Sequence, residues 1–238
     1  MAMDGTAVLD KGFVRLVETM GGDEAVVQAA RVSLGQVSKG TEKDRKLISY
    51  LLEHAHHTPF EHAVFKFHVS CPIFVMRQWI RHRMASYNEV SARYTEVKDE
   101  YYVPSAWRVQ DARNKQGSLP RAGLDHAALS AEYEAQVRSA LAAYRRLLDA
   151  GVAREMARMV LPVSMYTQFY WTVNCRSLMN FLALRADAHA QPEIQAYAEA
   201  VGAFFAEKMP WTYAEFLRHV WKGRNARLDA DKEALCAR

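Results

Sequence analysis

The stretch HAVFKFHV, residues 62–69, alternates in polarity along its length. Every odd-numbered residue from Ala63 to Val69 is apolar, whereas the even-numbered positions include two histidines and a lysine. A period of two predicts a β-strand with one buried face. The segments FVRLVET at 13–19 and MYTQFYWTV at 165–173 are rich in β-branched and aromatic residues and also predict strands, although the second would suit a helix as well. We therefore expect a sheet at the centre of the fold.

Segments with helical spacing or helix-start signals surround these strands. The predicted helices cover 23–32 with Asp23 as N-cap, 41–54 with a capping box of Thr41 and Asp44, 73–84 after Pro72, 125–149, 153–160, 177–185, 192–209 and 211–221. Because no βαβ rhythm is visible, the pattern predicts an α+β fold with a mixed sheet and packed helices. We expect one domain over 1–238, with a long connection at 99–123 and a frayed tail at about 224–238.

The composition is that of an ordinary globular protein, with 238 residues, 50% apolar, 24% charged and a net charge of +4. The sequence has no run of 18 apolar residues and no visible secretory signal, so we expect no membrane span. Three widely spaced cysteines argue against a disulfide framework and favour a reduced, cytoplasmic setting. The mild positive charge argues against DNA binding but would suit small anions if arginines cluster.

The densest group of polar side chains is RHRMASYNEVSARY, residues 81–94. The three basic residues at 81–83 could simply end a helix, where cations meet the C-terminal dipole favourably. The polar residues that follow weaken this interpretation, because they form no apolar stripe and would add little to a core. A loop of this kind can offer arginine forks to phosphates and a carboxylate to sugar hydroxyls or ring N–H groups. It therefore predicts a site for a phosphorylated ligand.

This segment resembles the flavin-dependent thymidylate synthase signature RHRxxSxNExSxRY. The nine specified positions match at Arg81, His82, Arg83, Ser86, Asn88, Glu89, Ser91, Arg93 and Tyr94. Such a match is far more specific than a lone glycine motif. The resemblance extends in order through DKGFVRLVE near the start, AARVSL around Ser33, HHTPFEH at 56–62, PIFVMRQWIRHR at 72–83, WTVNCRSLMNFLALRADAHAQ at 171–191 and MPWTYAEF at 209–216. It does not cover the 99–123 connection or the tail.

The resemblance implies the fold and the reaction of that family. The family converts dUMP to dTMP with 5,10-methylenetetrahydrofolate as carbon donor and FAD, reduced by NADPH, as hydride source. It forms homotetramers with active sites shared between subunits. Arginine suits both the dUMP phosphate and the FAD pyrophosphate because it binds them bidentately. A cation beside N3 of the uracil would stabilise charge on the ring, and one well-placed group of this type is worth roughly 3–4 kcal/mol of barrier.

The resemblance also implies residue roles. Arg185 is expected to favour ionisation at N3 and, with Ser91, forms the predicted catalytic pair. The predicted substrate-binding residues are Gln78, Trp79, Ile80, Arg81, Glu89, Val90, Ser91, Ala92, Arg93, Arg158 and Arg185, with Arg158 reaching the nucleotide of a neighbouring subunit. The predicted cofactor-binding residues are Ser33, His56, Thr58, Arg81, His82, Arg83, Glu89, Asn174, Arg176 and Asn180, of which Ser33 and His56 line the flavin and folate pocket.

Other interpretations remain open at this stage. Ser91 could be a nucleophile, but the segment offers only His82 as a base and no third member, so an orienting hydroxyl is favoured. The histidines at 54, 56, 57 and 62 invite a metal, but no known ligand geometry appears, and we expect none. The arginines and tyrosines could instead form a nucleic-acid surface, against which the modest net charge argues. A flavin- and nucleotide-binding protein without turnover is a third alternative; no signature position is missing to support it.

Overall fold

The computed structural model describes residues 5–35 and 40–236. Its strands are β1 (Thr6–Val8), β2 (Gly12–Met20), β3 (Val64–Pro72), β4 (Ala85–Glu89), β5 (Arg108–Gln110), β6 (Ser118–Pro120) and β7 (Tyr166–Asn174). Five of them form one sheet in the order β1-β2-β3-β7-β4, and β5 pairs with β6. Every pair in the described part of the chain is antiparallel, so the α+β class is confirmed but the sheet is not mixed. Antiparallel neighbours need no helical crossover, which agrees with the missing βαβ rhythm.

Helices pack around the sheet. They are α1 (Asp23–Arg31), α2 (Thr41–Glu53), α3 (Ile73–Trp79), α4 (His126–Asp149), α5 (Arg154–Ala157), α6 (Cys175–Arg185), α7 (Pro192–Lys208), α8 (Pro210–Glu215) and α9 (Ala226–Cys236). Short 3-10 turns cover Val32–Leu34, Thr58–His62 and Arg158–Val160, and a π-helical turn covers Phe216–Val220. The predicted helices are confirmed in position, apart from the changes at their ends described below.

The alternation that predicted the central strand is confirmed. The side chains of Ala63, Phe65, Phe67 and Val69 are buried at 1% exposure or less. The Phe67 ring stacks on the Trp171 indole of β7 with centroids 5.6 Å apart, and Phe65 meets Phe205 of α7 edge to face. One strand thus joins the sheet to the helical layer. Its start is later than predicted, because His62 belongs to the preceding 3-10 turn.

Two sequence predictions near helix ends are wrong in detail. Asp23 does not cap its own helix, whose N-cap is Gly22. Its buried carboxylate instead accepts hydrogen bonds from the backbone N–H groups of Trp211 and Thr212 and from the Thr212 hydroxyl, and so caps α8. Asp44 pairs with Arg31 at 2.5 Å, and the N-cap of α2 is Gly40. Each carboxylate therefore contacts a helix other than its own, α8 for Asp23 and α1 for Asp44, which local helix-start signals do not encode.

The C-terminal segment forms a helix over Ala226–Cys236, where a frayed tail was expected. Leu228 is buried, and the indole N–H of Trp221 donates to the Asp229 carboxylate at 2.8 Å. The Tyr213 hydroxyl donates to Asp231 at 2.7 Å. These contacts hold the segment against the π-helical turn and α8. The prediction of a frayed tail, which rested on the charge-rich composition, is therefore wrong for this segment. None of the helices described is long and apolar enough to cross a membrane.

Gly12, at the start of β2, lies against Tyr197 of α7. A Cβ atom there would collide with the Tyr197 hydroxyl and lie 2.7 and 2.8 Å from the backbone carbonyl oxygens of Ser70 and Val8. The Tyr197 hydroxyl also donates to the Ser70 carbonyl at 2.8 Å, so it is not free to move away. This crowding explains why a glycine begins the strand.

We predict that Gly12→Ala lowers the free energy of unfolding by about 1–3 kcal/mol, because overpacking forces neighbouring groups apart. Gly202→Ala is the matched control, since a Cβ there meets only the Leu182 side chain at 3.7 Å. Alanine exceeds glycine in helix propensity by about 1 kcal/mol, so this control should unfold at the same or a higher urea concentration. Urea titrations at one protein concentration provide the measurement. Equal stability of the two variants would contradict the packing account.

Candidate active site

The signature segment is not a loop throughout, because residues 85–89 form the edge strand β4 against β7. Helix α3 ends at Trp79, five residues earlier than predicted, and a turn at 80–84 leads into the strand. The Tyr87 hydroxyl lies within hydrogen-bond distance of two carbonyl oxygens, Trp79 at 3.1 Å and His82 at 2.8 Å. This hydroxyl clamps the turn that carries the basic residues of the signature.

Arg185, at the end of α6, reaches this turn. Its Nε–H donates to His82 Nε2 at 2.9 Å, and an Nη2–H donates to the Gln78 carbonyl at 3.2 Å. Burial, and to a smaller extent the charge of Arg185, lowers the pKa of His82 to about 4. Because guanidinium can only donate, Nε2 must be the unprotonated nitrogen of a neutral imidazole. Burial also lowers the pKa of Arg185, but an arginine remains charged at neutral pH.

The neighbours of Arg185 divide into exposed and buried positions. The Gln78 amide donates to Gln191 Oε1 at 2.5 Å, which holds the side chain of Gln78 beside the turn. Ile80 is 46% exposed. Trp79 is fully buried against Phe169 and other rings of the core, and its carbonyl already accepts from Tyr87. The Trp79 side chain therefore supports the turn from the core side and is not accessible to a ligand.

A cavity of about 600 Å³ opens at the other end of β4. It is lined by the predicted residues Glu89, Val90, Ala92 and Arg158, and by four further charged residues, Arg77, Glu96, Lys98 and Glu100. The Val90 N–H donates to the Gln168 carbonyl at 2.9 Å, and Glu89 Oε1 accepts from the Thr167 hydroxyl at 2.6 Å. The volume of the cavity is within the range usual for small-molecule sites. Cations and carboxylates together suit a ligand with both a phosphate and hydroxyl or N–H donors.

Ser91 and Arg93 follow this cavity. The Arg93 N–H donates to Ser91 Oγ at 3.2 Å, and the Arg93 guanidinium pairs with Glu155 at 3.2 Å. Arg158 donates from Nε to the Glu155 carbonyl at 3.3 Å, so both arginines meet one short helix. No base contacts Ser91 Oγ in the described part of the chain, and His82 is engaged with Arg185. This geometry supports an orienting rather than a nucleophilic hydroxyl.

The predicted cofactor residues of β7 and α6 lie near the 3-10 turn that contains Thr58. The Asn174 side chain caps α6 by accepting from Ser177 N–H at 2.9 Å, and Arg176 pairs with Glu61 at 2.6 Å. Asn180 is exposed one turn further along the same helix. His57 Nδ1 is buried there, and no residue that the structure describes hydrogen-bonds to it. A ligand with acceptor and donor atoms could satisfy these groups.

Two arginines of the signature are exposed on the turn before β4. Arg81 and Arg83 are exposed and make no ion pair or side-chain hydrogen bond with any residue of 5–35 or 40–236. Unpaired guanidinium groups on one turn are suited to a diphosphate, which would supply the missing counter-charge. The residues present therefore fit a flavin dinucleotide. Ser33 and His56 are exposed on the surface, where His56 meets the Tyr50 ring at 5.9 Å.

The two cysteines whose side chains are described offer no nucleophile. Cys71 and Cys175 are fully buried, and burial raises the pKa of both thiols well above the usual value. A cysteine attacks a pyrimidine ring effectively only as the thiolate, not as the protonated thiol. Cys236 lies in α9, outside the described side chains. No group of three metal-ligating side chains is found among the described residues.

Several of the predicted residues form two separate groups. Gln78, His82 and Arg185 contact one another, whereas Glu89, Val90, Ala92 and Arg158 line the cavity. No residue of the first group lines that cavity. The cavity of this chain therefore contains Arg158 but not Arg185. Sequence reasoning missed Tyr87, Thr167 and Gln191, because tyrosine, threonine and glutamine at these places carry no local signal of their role.

The sheet has an edge strand that ends in the Glu89 carboxylate beside a cavity, and the turn before this strand carries the exposed Arg81 and Arg83. Such an arrangement is typical of proteins that bind phosphorylated ligands. The model of the family described as thymidylate synthase complementing protein matches residues 15–211. The chain belongs to that family, and the resemblance inferred from its sequence is confirmed at this level.

Named relatives agree with this assignment. A flavin-dependent thymidylate synthase of Thermosipho africanus is 56% identical over 220 residues, covering 91% of this chain and 95% of that protein. One of Thermus thermophilus is 53% identical over 216 residues, covering 91% of this chain and 79% of that protein. The crystal structure of the UMP/dUMP methylase PolB of Streptomyces cacaoi, bound with 5-Br UMP, is similar with a TM-score of 0.81, 38% identity and coverage of 91% and 98%.

The neutral state of His82 predicts how stability depends on pH. Its pKa is lower in the folded chain than in the unfolded chain, so between about pH 6.5 and 4 only the unfolded chain binds this proton. Acidification from pH 7 to 5 should therefore cost the wild type about 1–2 kcal/mol that His82→Gln does not lose, allowing for the partial exposure of the ring. Urea unfolding of both proteins at the two pH values measures this difference. A parallel loss in both would show that His82 does not titrate in this way.

Proposed function

We propose that this protein is a flavin-dependent thymidylate synthase that converts dUMP to dTMP with 5,10-methylenetetrahydrofolate as carbon donor. FAD reduced by NADPH would supply the hydride. The observation that carries the proposal is the contact of Arg185 with a neutral His82, in a chain of this family. The flanking Arg81 and Arg83 are exposed and pair with no residue of 5–35 or 40–236. Relatives named for this activity cover nearly the whole chain.

Arg185 is the residue proposed to act on the pyrimidine. Its Nε–H is held by His82, and one Nη2–H is held by the Gln78 carbonyl, so its orientation is restrained on two sides. The remaining guanidinium N–H groups can face N3 and the adjacent carbonyl of the uracil and stabilise charge that develops on the ring. A neutral His82 suits this role, because a protonated imidazole would repel the guanidinium.

The other side chains bind and orient. Glu89 and the arginines of the cavity are proposed to hold the sugar and the phosphate of dUMP, with Ser91 orienting the nucleotide. Arg81, Arg83, Arg176 and the group around Thr58 would hold FAD, whose pyrophosphate neutralises the unpaired charges. Ser33 and His56 would line the flavin and folate pocket. Because both described thiols are buried and protonated, the reaction would proceed without an enzyme nucleophile.

A homotetramer with shared sites would bring the two clusters together. Arg158 shares its cavity with Glu89, Val90 and Ala92 of its own chain, whereas Arg185, which contacts Gln78, does not line that cavity. Exposed apolar side chains flank Arg158, namely Met156, Met159, Val160 and Val163. Such a patch is typical of a protein interface. We propose that the cavity of one subunit faces the Arg185 group of another subunit.

Arg185→Ala should lower turnover at least 100-fold, since a removed charge-stabilising donor costs about 3–4 kcal/mol of barrier. Release of tritium from dUMP labelled at ring carbon 5, together with dTMP formation, measures this under anaerobic, NADPH-fed conditions. Cys175→Ala is the control, because a buried protonated thiol takes no part in the chemistry, and its turnover should stay within about threefold of wild type. Loss of turnover in the cysteine variant would contradict the mechanism. If the wild type binds FAD and dUMP but releases no tritium, it is a flavin- and nucleotide-binding protein without turnover.

Arg158→Ala and Arg185→Ala should complement each other if one site takes these residues from different subunits. In hybrids co-expressed at equal levels, about a quarter of the sites would have both arginines and regain turnover, provided that subunits mix at random. Tritium release from hybrids purified through two different tags measures this recovery. A mixture as inactive as either parent would indicate that each site is built within one chain.

A further inference from the structure

Thr167 stands out beside the cavity because no part of the proposed chemistry uses it. It lies on β7 with its side chain 5% exposed, and it lines the cavity. Its hydroxyl donates to Glu89 Oε1 at 2.6 Å, the short distance expected for a hydroxyl bound to a carboxylate. Glu89 Oε2 has no partner within the described residues, so the carboxylate is fixed through one oxygen only.

The sheet register explains how this contact arises. Glu89 stands opposite Phe169 in the pairing of β4 with β7, so Thr167 is the diagonal neighbour two residues along the same face. Diagonal side chains on neighbouring strands lie within reach of a long side chain such as glutamate. Val90 follows at once and is held by the Gln168 carbonyl. Glu89 is thus fixed at both its backbone and its carboxylate, although it ends an edge strand and is itself exposed.

We propose that Thr167 is a positioning residue that sets the Glu89 carboxylate for hydroxyl or N–H donors of the bound nucleotide. Without the threonine hydroxyl, the glutamate side chain would sample several rotamers on an exposed edge, and ordering it would oppose binding. The cavity also contains Arg77, Lys98 and Arg158, which could attract the carboxylate away from that orientation. The inference rests on the proposed function, since it takes dUMP as the ligand.

Thr167→Val tests this inference because it keeps the shape and removes the hydroxyl, whereas Thr167→Ser keeps the hydroxyl. In FAD-loaded protein, the valine variant should bind dUMP five- to tenfold more weakly by calorimetry, with kcat within about threefold of wild type, and the serine variant should restore binding. Thr172→Val is the matched control, because Thr172 lies on the same strand opposite Ser86 and does not line the cavity, so it should bind dUMP like wild type. The valine substitution should add nothing in a Glu89→Ala background.

Two results would overturn the inference while leaving the proposed function intact. One is wild-type dUMP affinity in Thr167→Val, and the other is an equal loss of affinity with and without Glu89, which would mark a purely structural threonine. A wild-type protein that binds no dUMP would overturn the proposed function and the inference together.

Discussion

The pairing of β7 with β3 on one side and β4 on the other is the constraint on which the rest of the structure depends. Over nine residues, β7 alternates buried Phe169, Trp171 and Val173 with side chains that face outward. The buried rings pack against Phe67 and Trp79, and so tie the sheet to α3. The same strand presents the backbone that holds β4 in register. The core and the candidate site therefore share one set of hydrogen bonds.

This dependence explains why an edge strand can carry so many polar groups. An exposed edge with unpaired backbone groups is prone to pairing with other chains, and charged side chains reduce that tendency. β4 is only five residues long and ends at Glu89, with basic side chains in the turn before it. Its polar side chains would contribute little to folding stability. Stability comes from β7 and the aromatic cluster beneath, which leaves the edge free to bind ligands.

The arginines of the site differ in whether a side chain or backbone group of the described chain binds them. Arg185 is restrained by a neutral histidine and a carbonyl, neither of which cancels its charge. Arg81 and Arg83 have no counter-charge in the described chain, whereas Arg93 and Arg176 each pair with a glutamate. Exposed pairs of this kind contribute only about 0–1 kcal/mol, so a phosphate could replace the glutamate at small cost. The arrangement therefore favours anionic ligands.

The sequence by itself determined the α+β class, the central strands and most helix positions, because period-two and helical patterns record which residues are buried. It also determined the family, since the motif at 81–94 and the segments around it are specific enough to be recognised. Only the tertiary structure decided that Asp23 caps α8, that Thr167 holds Glu89 and that the tail is helical. The first two depend on side chains that are 189 and 78 residues apart in sequence. The helical tail depends on hydrogen bonds from Trp221 and Tyr213 to its carboxylates. The same reason applies to the site, because residues 78–94, 154–158 and 174–185 are brought into place by sheet register, and local patterns do not specify which strand lies beside which.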